Sequence, residues 1–167
     1  FLGGADFDRL IIERFVVPAI EEQFEEIDMA TDLQSASGKY NSLFLKLLGE
    51  AEQAKKTLST VDTAELCFEF DDESVEIEIS RKELEDLLVP EIERTISLVQ
   101  KVIERNQAKI VGIDFVLMIG GSTYIPYVRR RVEEALNVPV KSDVDPTTAV
   151  ALGAAFYAGV RERTTPA

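Results

Sequence analysis

Between Glu65 and Ile79 the hydrophobic period of the chain is two. Leu66, Phe68 and Phe70 alternate with Glu65, Cys67 and Glu69, and Val75, Ile77 and Ile79 alternate with Ser74, Glu76 and Glu78. Successive side chains of a strand point to opposite faces, so these runs, on either side of Asp71-Asp72-Glu73, predict an antiparallel hairpin over 64–79 with one apolar face. Two strands alone are marginal in water, so helices must cover that face.

The flanking segments supply them. Phe7, Leu10, Ile11, Phe15, Val16, Ile20, Phe24 and Ile27 recur at helical spacing and predict an amphipathic helix over 6–28. Asp6 or Asp8 stands near its start as cap, and Pro18 predicts a kink. Residues 31–38 read as a connection. Leu43, Phe44, Leu47, Leu48, Ala51, Ala54, Lys55 and Leu58 recur at helical spacing and predict a helix over 40–58. Ser80 and Glu83 have capping-box spacing at the head of a third helix over 81–106, with a break or bend before Pro90. Residues 1–112 therefore read as an α+β subdomain.

From Ile113 the pattern changes. Asp114 to Ile119 is a nearly continuous apolar run, the kind buried on both faces of a parallel sheet. Gly120-Gly121-Ser122-Thr123 turns it into a helix over about 125–136, and Val138 to Val140 reads as a second strand. Asp145-Pro146 opens a last helix, from Thr147 to about Val160, rich in Ala and Gly. Residues 113–167 are thus a β-α-β-α unit of α/β type. Two parallel strands do not make a stable sheet, so the edge at 114–119 or 138–140 predicts a further partner, and an edge-strand dimer is one form of it.

Composition narrows the chemistry. The 167 residues hold 31 acids and 18 Lys plus Arg, a formal charge of −13, which disfavours binding to nucleic acid or anionic membrane. There is no His, which removes Ser-His-Asp and Cys-His catalysis and most catalytic zinc sites. The single cysteine, Cys67, forms no internal disulfide, and no apolar run approaches the roughly 20 residues of a membrane span. Phe1-Leu2-Gly3-Gly4 is neither an initiator Met nor a signal-peptide start. These features predict a cytoplasmic piece of a longer protein.

Three groups of residues invite a functional reading. Gly120, Gly121 and Ser122 lie where a strand turns into a helix, where a ligand can approach backbone closely; Ser122 or Thr123 capping the helix is the plainer alternative. No Lys-Ser/Thr pair follows, so this is not a Walker loop. Lys55 and Lys56 stand together near a helix C-terminus, where they either offset the dipole, with Glu52 paired to Lys56, or contact an anion. The acids Glu21, Glu22, Glu25, Glu26 and Asp28 form a solvated helix face or a docking surface. Cys67 has no cationic neighbour in sequence and reads as structural.

In order along the chain, four segments resemble the 70-kDa heat-shock chaperones of DnaK type. They are Leu2-Gly3-Gly4-Ala5-Asp6-Phe7-Asp8, Glu52-Gln53-Ala54-Lys55-Lys56-Thr57-Leu58-Ser59, Gly120-Gly121-Ser122-Thr123, and Asp145-Pro146 leading into Ala149-Val150-Ala151-Leu152-Gly153-Ala154-Ala155. The resemblance implies the second lobe of an actin-like ATPase domain with a ribonuclease-H-like core. Residues 1–112 would be its peripheral subdomain and 113–167 the end of its core subdomain. It implies ATP or ADP as ligand, with Glu52 on the ribose hydroxyls, Lys55 on the ribose and phosphate side, Lys56 over one adenine face and Ser59 on the base. Gly120, Gly121 and Ser122 would bring backbone to the nucleotide beside Tyr124 and Asp145.

Two positions depart from the family pattern. Tyr124 stands where an Arg commonly covers the other adenine face, and Thr147 where an acid is common. The resemblance further implies a nucleotide-exchange factor and a J-domain co-chaperone as partners, and magnesium in the full-length protein but not on these residues. It places the phosphate loops and catalytic Lys outside this sequence, so the chain alone is expected to be inactive as an ATPase and to bind nucleotide no tighter than roughly millimolar. A sugar kinase, a cell-shape filament protein or a pure interaction module are the other readings.

Overall fold

The computed structural model describes residues 2–24, 33, 39–141 and 145–164, the last four without their side chains. The chain divides into two compact units, Phe1–Glu93 and Arg94–Ala167. Each is described by itself.

In the first unit, helix α1 (Gly4–Ile11) runs through a π-helical turn (Ile12–Val16) into α2 (Val17–Gln23). At Pro18, where a kink or break is expected, the α-helical hydrogen-bond register is interrupted by this π-helical turn. Pro18 lacks an N–H, and just before it the Val17 N–H reaches back five residues to the Ile12 carbonyl. The helix is capped at Gly3, whose N–H donates to Asp6 Oδ2 at 2.7 Å, so of the two proposed caps it is Asp6 that serves. Residues 25–28 of the expected helix, with Glu25, Glu26 and Asp28 of the acidic cluster, lie outside the described residues. Glu21 and Glu22 are exposed.

Helix α3 (Asn41–Leu58) leads to the hairpin of β1 (Thr63–Phe70) and β2 (Glu73–Ser80). Ala64 pairs with Ile79, Leu66 with Ile77 and Phe68 with Val75, so one face collects the apolar side chains. That face closes on Ile11, Val16 and Ile20 of the first helical run and on Leu47, Ala51 and Leu58 of α3, all buried. Phe24 packs edge-on against Phe70 with ring centroids 4.8 Å apart. Helix α4 (Arg81–Arg105) begins with the expected capping box: Ser80 N–H and Oγ both donate to Glu83 Oε2, and Glu83 N–H returns to Ser80 Oγ at 3.2 Å. Those hydrogen bonds hold the Glu83 carboxyl below its usual range. No break occurs at Pro90; the helix continues through it. Pro90 is exposed, so the carbonyl left without a donor faces the solvent side, while Leu84, Leu88, Ile92 and Ile96 keep the buried stripe intact.

In the second unit, β3 (Val116–Leu117) pairs in parallel with β4 (Val140–Lys141). The strand expected over 114–119 is thus reduced to two residues. Ile113, Phe115, Leu117 and Ile119 are all more than a third exposed, because no further strand or layer covers them among the described residues. A 3-10 turn (Gly121–Tyr124) precedes α5 (Pro126–Leu136), which Asn137 ends in the left-handed conformation. Two residues of α5 bracket Val140: Arg129 donates to its carbonyl and Glu133 accepts from its N–H, both at 3.1 Å. The last helix, α6 (Ala149–Thr164), exposes Val150, Leu152, Phe156, Tyr157 and Val160.

The hairpin turn suggests a direct check. Asp71 and Asp72 both have positive φ, 50° and 64°, the signature of a two-residue type I′ turn, in which glycine is favoured at the second position. Asp72→Gly is expected to stabilise the fold by about 0.5–1 kcal/mol, read as a higher urea midpoint at unchanged m-value.

Candidate functional site

The last two turns of α3 carry Glu52, Lys55 and Lys56, and Ser59 follows as the residue that ends the helix. Its C-terminus is fixed by Arg81, whose Nε donates to the Leu58 carbonyl at 2.9 Å and whose guanidinium meets Asp62 at 3.1 Å. The two adjacent lysines have different surroundings. Lys56 is on the exposed side and pairs with Glu52 at 2.9 Å, its side chain 57% and that of Glu52 47% exposed. This ion pair, with its short hydrogen bond, holds the Glu52 carboxyl below its usual range. An exposed i,i+4 pair is worth only a few tenths of a kcal/mol, so both side chains can exchange partners readily.

Lys55 is buried. Its ammonium bonds to Asp8 Oδ1 and, at 3.0 Å, to the Gly4 carbonyl, joining α3 to the first turns of α1. Asp8 and Lys55 are the only charged side chains in the buried set of the described residues. Burial pushes the Asp8 carboxyl up, and the Lys55 ammonium opposes that push without cancelling it. The folded chain therefore holds this proton more tightly than the unfolded one, and the contribution of Asp8 to stability declines as pH rises from 3.8 through its raised value. Ser59 Oγ donates back to the Lys55 carbonyl at 3.0 Å.

The glycine turn belongs to the second unit. Gly120 has φ 98° and ψ 153°, a conformation essentially restricted to glycine. Gly121 has ordinary dihedrals and open space: a Cβ built on it meets nothing within 4 Å. Neither Ser122 nor Thr123 caps α5; Thr123 Oγ1 instead donates to the Gly120 carbonyl at 2.7 Å, and Pro126 occupies the first turn of the helix.

Asp145 joins this turn to the start of the last helix. Its Oδ1 accepts from Thr147 N–H at 2.9 Å, Thr147 Oγ1 at 2.7 Å and Tyr124 Oη at 2.9 Å, while Gly120 N–H donates to the Pro146 carbonyl at 2.9 Å. Tyr124 thus has its hydroxyl fixed while its ring stays about half exposed. The Thr147 hydrogen bonds, then that of Tyr124, hold the Asp145 carboxyl down at about 2, and the Tyr124 phenol is pushed up by the same bond.

The structure thus gathers Glu52, Lys55, Lys56 and Ser59 in the first unit, and Gly120, Gly121, Ser122, Tyr124 and Asp145 in the second. Sequence reasoning missed Asp8 and Thr147 as partners. Cys67 is exposed on the outer face of the hairpin, its thiol pushed up by desolvation and by Glu76 and Glu65.

Two tests follow from this geometry. Gly120→Ala is expected to destabilise the second unit by about 1–3 kcal/mol, whereas Gly121→Ala should stay within about 0.5 kcal/mol, both read by thermal unfolding. In an NMR titration Asp145 should show a midpoint near 2, against 3.8 for a free side chain. Its stabilising contribution is then complete above 3.8 and lost as pH falls toward 2, and Thr147→Ala or Tyr124→Phe should each move the midpoint upward.

Comparison with known proteins gives a consistent result. The family model described as Hsp70 protein matches residues 1–166. The chain is 34% identical over 164 residues to a heat shock protein homolog of Saccharomyces cerevisiae, covering 97% of this chain and 22% of that protein. It is 36% identical over 165 residues to Chaperone protein dnaK of Trieres chinensis, covering 95% and 25%, and 31% identical over 166 residues to Chaperone protein DnaK of Nitrosopumilus maritimus, covering 95% and 24%. The chain therefore spans about a quarter of the length of the curated relatives it matches. The match does not favour a sugar kinase or a filament protein, and the mixed helix-and-sheet architecture fits an α/β piece of the actin-like ATPase fold. The chain belongs to the Hsp70 family.

Proposed function

We propose that the chain supplies the adenosine-facing part of the nucleotide cleft of an ATP-driven chaperone, with residues 1–112 as the peripheral subdomain and 113–167 as the end of the core subdomain. The observation that carries this reading is the surface ion pair of Glu52 and Lys56 on the last turns of α3. Both side chains are half exposed on a helix whose other side is anchored in the core. Adenine has a flat apolar face, which suits the Lys56 stem, and ribose has paired hydroxyl donors, which suit the Glu52 carboxylate. On this reading Lys55, bonded within the chain to Asp8 and the Gly4 carbonyl, serves the ribose and phosphate side, and Ser59, whose hydroxyl donates to the Lys55 carbonyl, serves the base.

From the second unit, the open space at Gly121 supports a close approach of ligand to the backbone of Gly120, Gly121 and Ser122. The half-exposed Tyr124 ring, tied to Asp145, is a stacking surface where the family commonly places Arg. ATP supplies the phosphoryl group whose transfer drives the chaperone cycle, a step assigned to the longer protein. Magnesium, on this reading, accompanies ATP in the longer protein and is held by residues other than these.

On the same reading the longer protein works in the cytoplasm and responds to stress, with a nucleotide-exchange factor gripping the peripheral subdomain and a J-domain protein as co-chaperone. No helix among the described residues is long and apolar enough to cross a membrane. The short β3–β4 pair, with Leu117 and Ile119 exposed, suits pairing with a further strand, and in the isolated chain a dimer through that edge.

A ligand-observed NMR titration with adenosine and ADP tests the site. The chain is expected to bind at about 1 mM, on the order of 4 kcal/mol, and Lys56→Ala to weaken binding several-fold. No binding at millimolar ligand, or equal binding by the variant, would contradict the assignment.

A further inference from the structure

Three donors meet on one oxygen of the second unit. Asp145 Oδ1 accepts from the Tyr124 hydroxyl at 2.9 Å, from the Thr147 hydroxyl at 2.7 Å and from the Thr147 N–H at 2.9 Å. The main chain of Asp145 is held as well, since its carbonyl accepts from the Thr148 N–H at 3.2 Å and the Ala149 N–H at 3.0 Å at the head of α6. The backbone end of Tyr124 lies in the 3-10 turn Gly121–Tyr124, which Thr123 ties to the Gly120 carbonyl. Between these two anchors Tyr124 is 51% exposed. Tyr124 and Thr147 are also the two positions at which the sequence departs from the family pattern, and here they share one partner.

We infer that Asp145, held by Thr147, is the positioning residue of Tyr124, and that it keeps the phenol ring as a preformed plate for one face of a nucleobase. The inference rests on the nucleotide reading above and deepens it. An exposed tyrosine with no anchor for its hydroxyl exchanges rotamers, and a base that stacks on it must first stop that motion. A ring pinned at both ends has already lost that freedom on folding, so stacking costs less. The anchor depends on residue type. An ionised carboxylate only accepts, so it can serve a phenol and a threonine hydroxyl together. An acid at 147 would bring a like charge to Asp145 in place of a donor, and the anchor would loosen. The two departures are thus one linked change. The same hydrogen bonds hold the Asp145 carboxyl down at about 2, so the acceptor is ionised at neutral pH. Asp145 touches no ligand in this scheme and acts through Tyr124 alone.

The test is a double-mutant cycle read by ligand-observed NMR with adenosine, on the chain, on Asp145→Asn, on Tyr124→Phe and on the two together. Phe keeps the ring and removes the hydroxyl, while Asn keeps an acceptor and removes the charge that strengthens the bond. Each single variant is expected to weaken adenosine about threefold and to shrink the upfield ring-current shift of the bound adenine protons. The double variant should be no weaker than Tyr124→Phe alone. Tyr124→Leu, which removes the ring, should weaken binding about tenfold and abolish that shift. A merely structural role of Asp145 would cost as much in the Tyr124→Phe background as in the unmodified chain. That result overturns the inference, as does unchanged affinity in Asp145→Asn or in Tyr124→Leu.

If Asp145→Asn does not fold, Thr147→Val carries the cycle, since it takes one hydroxyl donor from the carboxylate and leaves Asp145 in place. Loss of affinity only where Tyr124 keeps its hydroxyl supports the inference, and equal loss, or none, in both backgrounds overturns it. No binding of adenosine by the unmodified chain overturns the nucleotide reading and the inference with it, an outcome distinct from binding that is indifferent to Tyr124.

Discussion

A lysine ammonium enclosed between two helices with one carboxylate for company sets the arrangement of the first unit. Lys55 lies on the buried side of α3 beside Ala51, Ala54 and Leu58, and Asp8 on the buried side of α1 beside Phe7 and Ile11. Removing either partner would leave the polar group of the other without its partner in a poorly solvated place. Such a pair adds little net stability over a well-packed apolar one, but it tolerates few alternative registers of one helix against the other. It fixes which side of α3 faces inward, and therefore which residues, Glu52 and Lys56, face solvent. The capping of α1 at Gly3 is part of the same arrangement, because the Gly4 carbonyl is the second acceptor for Lys55.

A parallel arrangement exists in the second unit at smaller scale. One carboxylate, Asp145, gathers the Thr147 N–H, the Thr147 hydroxyl and the Tyr124 hydroxyl, and so joins the glycine turn to the start of the last helix. Gly120 then adopts a backbone conformation that other residues avoid, and Gly121 leaves open space in front of the turn. In both units a carboxylate that pairs internally holds two segments of the chain together. The family shared with the DnaK chaperones and the yeast heat shock protein homolog gives these local devices a common context.

Much of this was legible from residue order alone, where a local rule governs. The hairpin followed from strict alternation, and the Ser80–Glu83 cap from its spacing, since neither depends on distant neighbours. The break at Pro90 was not realised because a proline on an exposed helix side loses one hydrogen bond without disturbing the buried stripe of Leu88 and Ile92. The strand at 114–119 came out short because its apolar run can extend only against partners, and β4 offers two residues among those described. The Lys55–Asp8 pair was missed although both helices carry its signal, a single charge set into an otherwise apolar stripe. Periodicity puts Lys55 on the inward stripe of its helix but names no partner, and only tertiary packing brings Asp8, 47 residues away, against it.

The role proposed for the exposed side of the α3 C-terminus is recognition of a nucleoside. It is tested most directly by mapping backbone amide shifts of the chain on addition of adenosine. The account predicts that the largest changes fall at residues 52–59, with a second set at 120–124. Changes confined to the hairpin or to the first turns of α4, or none at saturating ligand, would contradict it.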